Sequence, residues 1–184
     1  MKKILMIAAL MVATLSVSAQ GFVKPMVGAT MATVTGGDDT KMRFGAVFGA
    51  EYGYMINDRF GLTAGLLYSM QGSKIEDADD KFTTKLDYLN VPVLANVYVA
   101  PGLALKAGAQ IGFLVNAKQD DIDVKDFCNK VDFSIPVGAS YEISNFVIDA
   151  RYNLGISKVL KKEIIDKSNH HSVFMLTLGY KFDF

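Results

Sequence analysis

Residues Met42–Tyr54, MRFGAVFGAEYGY, place an apolar side chain at every second position. The even positions carry only methionine, phenylalanine, alanine and tyrosine, whereas Arg43, Val47, Glu51 and three glycines occupy the odd positions. Successive side chains of a strand point to opposite sides, so a period of two is typical of a β-strand with one apolar face. The stretch therefore predicts a long amphipathic strand.

The same alternation recurs along the chain and predicts eight strands. Besides Met42–Tyr54, the clear segments are Phe60–Gln71, Tyr88–Val99, Leu103–Lys118, Val131–Ile143, Phe146–Ser157 and Val173–Phe184. A weaker first strand covers Phe22–Thr33, where Pro25 obscures the phase. On the seven clear strands one face carries no charged residue and the other carries ten.

Long polar connections alternate with short turns between these predicted strands. The long ones are Val34–Lys41, Glu76–Thr84, Gln119–Lys130 and Lys158–Ser172, and the short ones are 56–58, 100–102 and 144–145. Short turns at one end and long loops at the other are typical of outer-membrane barrels with an even number of strands. The sequence therefore predicts an all-β fold, an eight-stranded antiparallel up-and-down transmembrane β-barrel.

The apolar face of these strands faces either lipid or the core of a soluble, lipocalin-like barrel. An eight-stranded lumen is too narrow for so many large apolar side chains. Glycines are concentrated on the polar face, where they make room in a crowded lumen. Aromatic residues lie near the strand ends, as in the girdles that flank the apolar band of a membrane barrel. These observations favour lipid.

The first residues are typical of an export signal rather than of the fold. Lys2 and Lys3 precede the apolar run Ile4–Ala13, and Val17–Ala19 supplies small residues before a cleavage site. The run is too short to cross a bilayer as a helix. We predict a signal peptide over residues 1–19 and a barrel domain over residues 20–184. Removing Lys2 and Lys3 leaves 17 basic and 19 acidic side chains, a formal charge of −2.

The composition argues against several classes of function. Basic and acidic residues number 19 each, so no basic surplus points to nucleic acid. Cys128 is the only cysteine, which excludes an intramolecular disulfide and a cysteine-rich zinc site. His170 and His171 are the only histidines. We expect no cofactor.

The charged residues of the polar face form the main candidate site. After Lys118 and Asp183 near the strand ends are set aside, four basic and four acidic residues remain: Arg43, Glu51, Lys106, Asp132, Glu142, Asp149, Arg151 and Lys181. Buried charges must be paired, so this balanced set predicts a lumen charge network that plugs the barrel. A narrow polar conduit is the alternative. Because the fifth and sixth strands pair, Lys106–Glu142 is the expected ion pair.

The acidic loop Asp120–Asp126 suggests either a calcium site or a solvated loop. It lacks the glycine and the twelfth-position glutamate of an EF-hand, and Lys125 stands where an oxygen ligand is needed, which favours the solvated loop. Asp77, Asp79 and Asp80 are interpreted in the same way.

A hydrolase at the barrel rim would combine His170 or His171 with loop aspartates. Such a site needs a base, its orienting partner and a nucleophile within hydrogen-bond reach. No spacing in the sequence enforces that contact, and no histidine neighbours Cys128 in the chain. We therefore predict that the protein is not an enzyme.

Four stretches resemble the PorT-like family of outer-membrane β-barrel proteins. They are LLYSMQG at Leu66–Gly72, YLNVPVL at Tyr88–Leu94, DARYNLG at Asp149–Gly155 and LGYKF at Leu178–Phe182. The resemblance implies an outer-membrane location, with outer-membrane lipid as a partner, and one family member is linked to protein secretion. The last residue, Phe184, resembles the sorting signal recognised by the barrel-assembly machinery.

The leading hypothesis is an integral outer-membrane barrel with a narrow, plugged lumen that acts structurally or through its exterior loops. The alternative is a transport or secretion-accessory component that uses the lumen or the periplasmic rim.

Overall fold

The computed structural model describes residues 21–35, 40–76, 81–119, 122–123, 130–158 and 170–184. The predicted signal peptide and its cleavage site lie outside these residues and stay predictions. The strands are β1 (Gly21–Thr35), β2 (Thr40–Asn57), β3 (Phe60–Glu76), β4 (Lys81–Ala100), β5 (Leu103–Gln119), β6 (Ile122–Asp123), β7 (Val131–Ile143), β8 (Phe146–Lys158), β9 (His170–Tyr180) and β10 (Phe182–Asp183).

The strands form one antiparallel sheet that closes on itself. Long strands that are consecutive in the chain pair with each other, while the two-residue β6 pairs only with the end of β5. Strand β1 pairs with β2 on one side and with β9 and β10 on the other, and β10 continues β9 beyond Lys181. The predicted eight-stranded antiparallel barrel is therefore confirmed.

The register tilts the strands against the barrel axis. A path of directly paired residues that leaves β5 at Ala104 passes Asp149 of β8 and returns to β5 at Leu114. Such a stagger is what closure of a barrel requires. It also brings residues from different points along their strands to the same depth in the lumen.

The predicted faces of the strands are also confirmed, with one correction. Most outward side chains are apolar and accessible, such as Phe44 at 68% and Val27 at 60%. Most lumen-facing side chains are buried, and among them Met26, Val47, Leu67 and Met175 form an apolar cluster. Ala117, predicted on the apolar outer face, is instead buried toward the lumen.

A β-bulge in β5 explains that correction. Tyr88 pairs with Leu114, but the preceding residue Asp87 pairs with Asn116, so Val115 is an extra residue in β5. An extra residue reverses the facing of everything after it. As a result, Asn116 turns outward and Ala117 turns inward to join Leu86, Tyr88 and Leu114.

The two ends of the barrel differ in how the strands are connected. At the short-turn end, tight turns join β2 to β3, β4 to β5 and β7 to β8. Asn57 Oδ1 accepts from the backbone N–H groups of Arg59 and Phe60, both at 2.9 Å, and Gly102 adopts a φ of 75° that glycine tolerates. The strands run further toward the other, long-loop end than predicted. In these extensions polar residues occur on both faces of the strands, so the alternation of apolar and polar side chains is not visible in the sequence.

The seam that closes the barrel is interrupted near the short-turn end. Residues Met26 and Gly179 pair, and so do Val23 and Phe182, but the pairing is absent between them. Pro25 has no N–H to donate at this point, which accounts for the gap. The N–H of Lys181 instead donates to the Asn145 carbonyl at 2.7 Å.

Candidate functional site

Arg151 is at the centre of the charged residues in the lumen. Its guanidinium donates to both carboxylate oxygens of Glu51 across the lumen, with Nη2 at 2.9 Å from Oε2. Toward Asp149, Nε lies 2.6 Å from Oδ1 and Nη2 lies 2.8 Å from Oδ2. Arg151 and Asp149 are two residues apart on β8 and so share its inner face, as predicted. The guanidinium thus links β8 to β2.

Two lysines complete this group. Lys24 Nζ lies 2.9 Å from Glu51 Oε2 and 3.5 Å from Asp149 Oδ2, and Lys106 Nζ lies 2.5 Å from Asp149 Oδ2. We call Lys24, Glu51, Lys106, Asp149 and Arg151 the lumen cluster. It contains three cations and two anions, and none of its residues is more than 7% exposed.

Glycines on neighbouring strands make room for the lumen cluster. A Cβ atom at Gly65 of β3 would lie 2.6 Å from Cγ of Glu51. A Cβ atom at Gly179 of β9 would lie 2.9 Å from Cγ of Lys24. These close approaches explain why glycine occurs on the inner face of strands, where it otherwise weakens the sheet.

Lys24 belongs to the lumen cluster but was not among the predicted site residues. The sequence does not show which side chains of the predicted first strand face the lumen, because Pro25 interrupts the alternation. A signal was nevertheless present. If Pro25 is placed outward, Phe22, Lys24 and Met26 share the inner face, and all three are buried in the structure.

The predicted Lys106–Glu142 ion pair is wrong. Lys106 lies opposite Gly138 of β7, whereas Glu142 lies near the short-turn end of that strand. Lys106 turns instead toward Asp149, one strand further. Adjacent strands were identified correctly, but the register separates the two side chains along the barrel.

Glu142 and Lys181 form a second, separate ion pair, which we call the rim pair. Lys181 Nζ lies 3.2 Å from Glu142 Oε2, and the Tyr98 hydroxyl donates to Glu142 Oε1 at 2.6 Å. Lys181 Nζ also lies 3.5 Å from Asp183 and 4.6 Å from the ring centre of Phe22. The side chains of the pair are 15% and 17% exposed, so water reaches this end of the lumen.

The remaining predicted network residues lie apart from the lumen cluster. Asp132 is half-buried on the inner face of β7, opposite Gly112. Arg43 lies in β2 opposite Ala32, but its side chain is outside the described residues. The predicted single network is therefore divided along the barrel.

Neutral polar side chains fill much of the remaining lumen. Gln110 Nε2 donates to Ser134 Oγ at 3.2 Å, and Asn96 Nδ2 donates to Thr63 Oγ1 at 3.3 Å. Six buried polar atoms find no partner within the described residues; they belong to Asn90, Asn96, Ser140, Asn153 and Thr177. Buried polar groups of this kind are commonly satisfied by internal water.

Most of the predicted loop chemistry lies outside the described residues. This applies to Cys128, to Asp77, Asp79 and Asp80, and to all of Asp120–Asp126 except Ile122 and Asp123. His170 and His171, predicted in a loop, are the first residues of β9. The described part of the chain has no group of three His, Cys, Asp or Glu side chains placed to hold a metal ion. Nor does it contain a helix long and apolar enough to cross a bilayer.

Comparisons with known proteins agree with this barrel. The attachment invasion locus protein Ail of Yersinia pestis superposes with a TM-score of 0.55 at 20% identity, over 89% of this chain and 99% of Ail. Neisserial surface protein A superposes with a TM-score of 0.57 at 20% identity, over 89% of this chain and 97% of that protein. OprG of Pseudomonas aeruginosa superposes with a TM-score of 0.52 at 12% identity, over 92% of this chain and 99% of OprG. At these identities the likeness concerns the fold.

No curated protein sequence matches the chain. The outer membrane protein beta-barrel domain family, in contrast, matches residues 9–161, which is most of the chain. The strand order, the apolar outer face and the polar lumen agree with that match. The protein thus belongs to the outer membrane protein beta-barrel domain family and is an outer-membrane protein.

Proposed function

We propose that this outer-membrane protein has a lumen closed to solutes and acts structurally or through its connections at the long-loop end, without a catalytic role. The observation that carries the proposal is the link across the lumen from Arg151 to Glu51. Both side chains are at most 2% exposed. Lys24 also binds Glu51, and Lys106 binds Asp149, the second carboxylate on Arg151. Opening a path through this cluster would separate buried opposite charges, which is strongly unfavourable.

Conductance across a planar bilayer tests the proposal. The whole protein is expected to insert without giving stable ion-conducting steps. The double variant Glu51→Ala, Arg151→Ala removes the link from β8 to β2 and is expected to conduct. Glu142→Gln changes a charge of the rim pair only and is the matched control, expected to stay closed. Stable steps from the unsubstituted protein would overturn the proposal.

Such steps would favour the second candidate, a transport or secretion-accessory component. The observation in its favour is the set of six buried polar atoms that find no partner among the described side chains, since they suit a lumen that holds water. We also propose the narrower PorT-like assignment on the four motifs that carry the resemblance. Intact protein secretion after deletion of the gene would contradict an accessory role in secretion.

We propose that outer-membrane lipid and the barrel-assembly machinery are the partners, and that Phe184 acts as the assembly signal. In support, Phe184 is 51% exposed and its N–H donates to the Gly21 carbonyl at 3.0 Å, beside the seam. Phe184→Ala is expected to slow assembly in cells while spontaneous refolding in detergent is unchanged. Phe182→Ala, another exposed aromatic of the same terminus, is the control. Equal assembly of Phe184→Ala and the unsubstituted protein would contradict the assignment.

A further inference from the structure

Asp87 breaks the pattern of the outer face. Of the charged side chains described within the barrel strands, all others face the lumen or its rim. Asp87 points outward from β4, on the same side as Leu89 and Val93. An unpaired charge on the lipid face destabilises a membrane barrel, although the effect declines from the bilayer centre to the interface. A carboxylate at this position therefore requires an explanation.

Two neighbouring strands supply hydrogen bonds to this carboxylate. The Tyr68 hydroxyl of β3 and the Asn116 amide of β5 each donate to Asp87 Oδ2 at 3.1 Å. We call these three residues the Asp87 site. All three side chains are half-buried. Among the described residues, nothing donates to Oδ1, the second oxygen of the carboxylate.

The backbone is shaped to make this arrangement. Asn116 reaches the outer face only because the bulge at Val115 reverses the facing of the last part of β5. Without the bulge, Asn116 would point into the lumen, as Leu114 does. Tyr68 is held from its other side by Phe48, with the ring centres 5.2 Å apart. Bulges commonly redirect a side chain at functional positions.

The depth of the Asp87 site in the membrane indicates its surroundings. Phe113 pairs with Leu89, and both lie one step nearer the bilayer centre than Asp87 on the same outer face. Phe113 and Phe48 are 46% and 49% exposed and offer an apolar surface to acyl chains. Aromatic residues mark the boundary between acyl chains and head groups, so Asp87 lies at head-group level.

We propose that the Asp87 site binds the primary ammonium of a lipid head group, with the acyl chains of that lipid against Phe113 and Phe48. The carboxylate brings a negative charge and an acceptor oxygen, Oδ1, to which no described residue donates. Such a group suits an N–H donor that is itself charged. A phosphate without an amine would be repelled by the same charge. Tyr68 and Asn116 hold the carboxylate in place but leave its charge intact.

Lipid retention by the whole protein tests this site. Protein refolded into vesicles of equal phosphatidylethanolamine and phosphatidylcholine with the same acyl chains is extracted gently, and the retained lipids are counted by native mass spectrometry. The two lipids carry the same phosphate, but only the ethanolamine head group has N–H donors. We expect about fivefold preferential retention of phosphatidylethanolamine, which is the scale of one charge-assisted hydrogen bond at an interface.

Asp87→Asn is expected to abolish this preference. Asp183→Asn removes an exposed carboxylate at the short-turn end and is expected to keep it. Should Asp87→Asn fail to fold, Tyr68→Phe provides the second variant: it leaves the charge, removes one positioning bond and should reduce the preference about twofold to threefold.

Three results would overturn the proposal. Equal retention of the two lipids by the unsubstituted protein would mean that water or a lysine of this chain, rather than a lipid ammonium, donates to Asp87. A preference that survives Asp87→Asn would assign it to another surface. Retention of phosphatidylglycerol that requires Mg²⁺ and is lost with a chelator would identify a divalent cation as the bound group.

Discussion

The lumen cluster and the rim pair contain the same kinds of side chain but differ in their access to water. Arg151, Glu51 and Asp149 are at most 2% exposed and make bonds in several directions, whereas the rim-pair side chains are 15% and 17% exposed. Bulk water and counter-ions can replace a lost partner at the rim, whereas the lumen cluster is shielded from bulk solvent. Energetic importance thus follows burial rather than the number of charges, and the buried cluster should dominate stability.

The largest effect is expected for Glu51→Gln. This change keeps the side-chain volume but leaves three cations with one anion, so unfolding should become easier by about 3–5 kcal/mol. Urea unfolding in vesicles, followed by far-UV circular dichroism because the sequence has no tryptophan, measures it. Lys106→Met is the control, since it leaves two cations and two anions and should be milder. Equal losses in the free energy of unfolding for the two variants would mean that the excess positive charge left by Glu51→Gln does not affect stability.

A charged side chain placed on the lipid-facing surface, without any ion-pair partner, provides a third case to compare with the lumen cluster and the rim pair. Ala109 lies on the outer face in the middle of β5, so Ala109→Arg places a cation near the bilayer centre. We expect a loss of about 2–4 kcal/mol in the same unfolding measurement. Ala109→Leu, which adds apolar volume without charge, should be nearly neutral. If the arginine variant were as stable as the leucine variant, the outer face would not contact lipid.

Double-mutant cycles separate the two charged groups. Lys106→Met combined with Asp149→Asn should show a coupling energy of about 0.5–3 kcal/mol, because the two side chains are bonded. Lys106→Met combined with Glu142→Gln should be additive within about 0.5 kcal/mol, because Glu142 belongs to the rim pair. Coupling in the second cycle and none in the first would restore the partner expected from strand adjacency.

The smallest effect is expected at the rim. Lys181→Met should change the free energy of unfolding by about 1 kcal/mol or less, and the change should shrink as salt is added. Unfolding midpoints at low and high ionic strength measure both properties. A loss as large as that of Glu51→Gln would show that the rim is less accessible to water than its exposure indicates.

Alternation in the sequence was sufficient for the barrel, since the facing of a strand residue depends only on its neighbours. It placed Glu51, Lys106, Asp149 and Arg151 in the lumen, as the structure has them. The alternation failed where a single residue obscures or reverses which side chains of a strand face the lumen. Pro25 concealed Lys24, and the bulge at Val115 reversed Ala117.

The choice of partners could not be predicted in the same way. Lys106 was expected opposite Glu142 because their strands are adjacent, but the register offsets the two residues along the barrel. Register depends on how several strands fit together, and a one-residue bulge alters it locally. The flexible lysine then reaches past the neighbouring strand to Asp149. Asp87 was also missed, since it lies just before the predicted fourth strand.

The ion pairs of the lumen cluster join distant parts of the chain, and this affects folding kinetics. Arg151 and Glu51 are 100 residues apart in sequence, and Lys24 and Asp149 are 125 apart. Neither pair can form until the last strands meet the first, so a partly assembled sheet carries these charges unpaired on its wet face. Contacts of such high sequence separation form late and slowly. Ring closure and charge neutralisation therefore become one cooperative event, and an unclosed barrel gains none of the stability that the cluster provides.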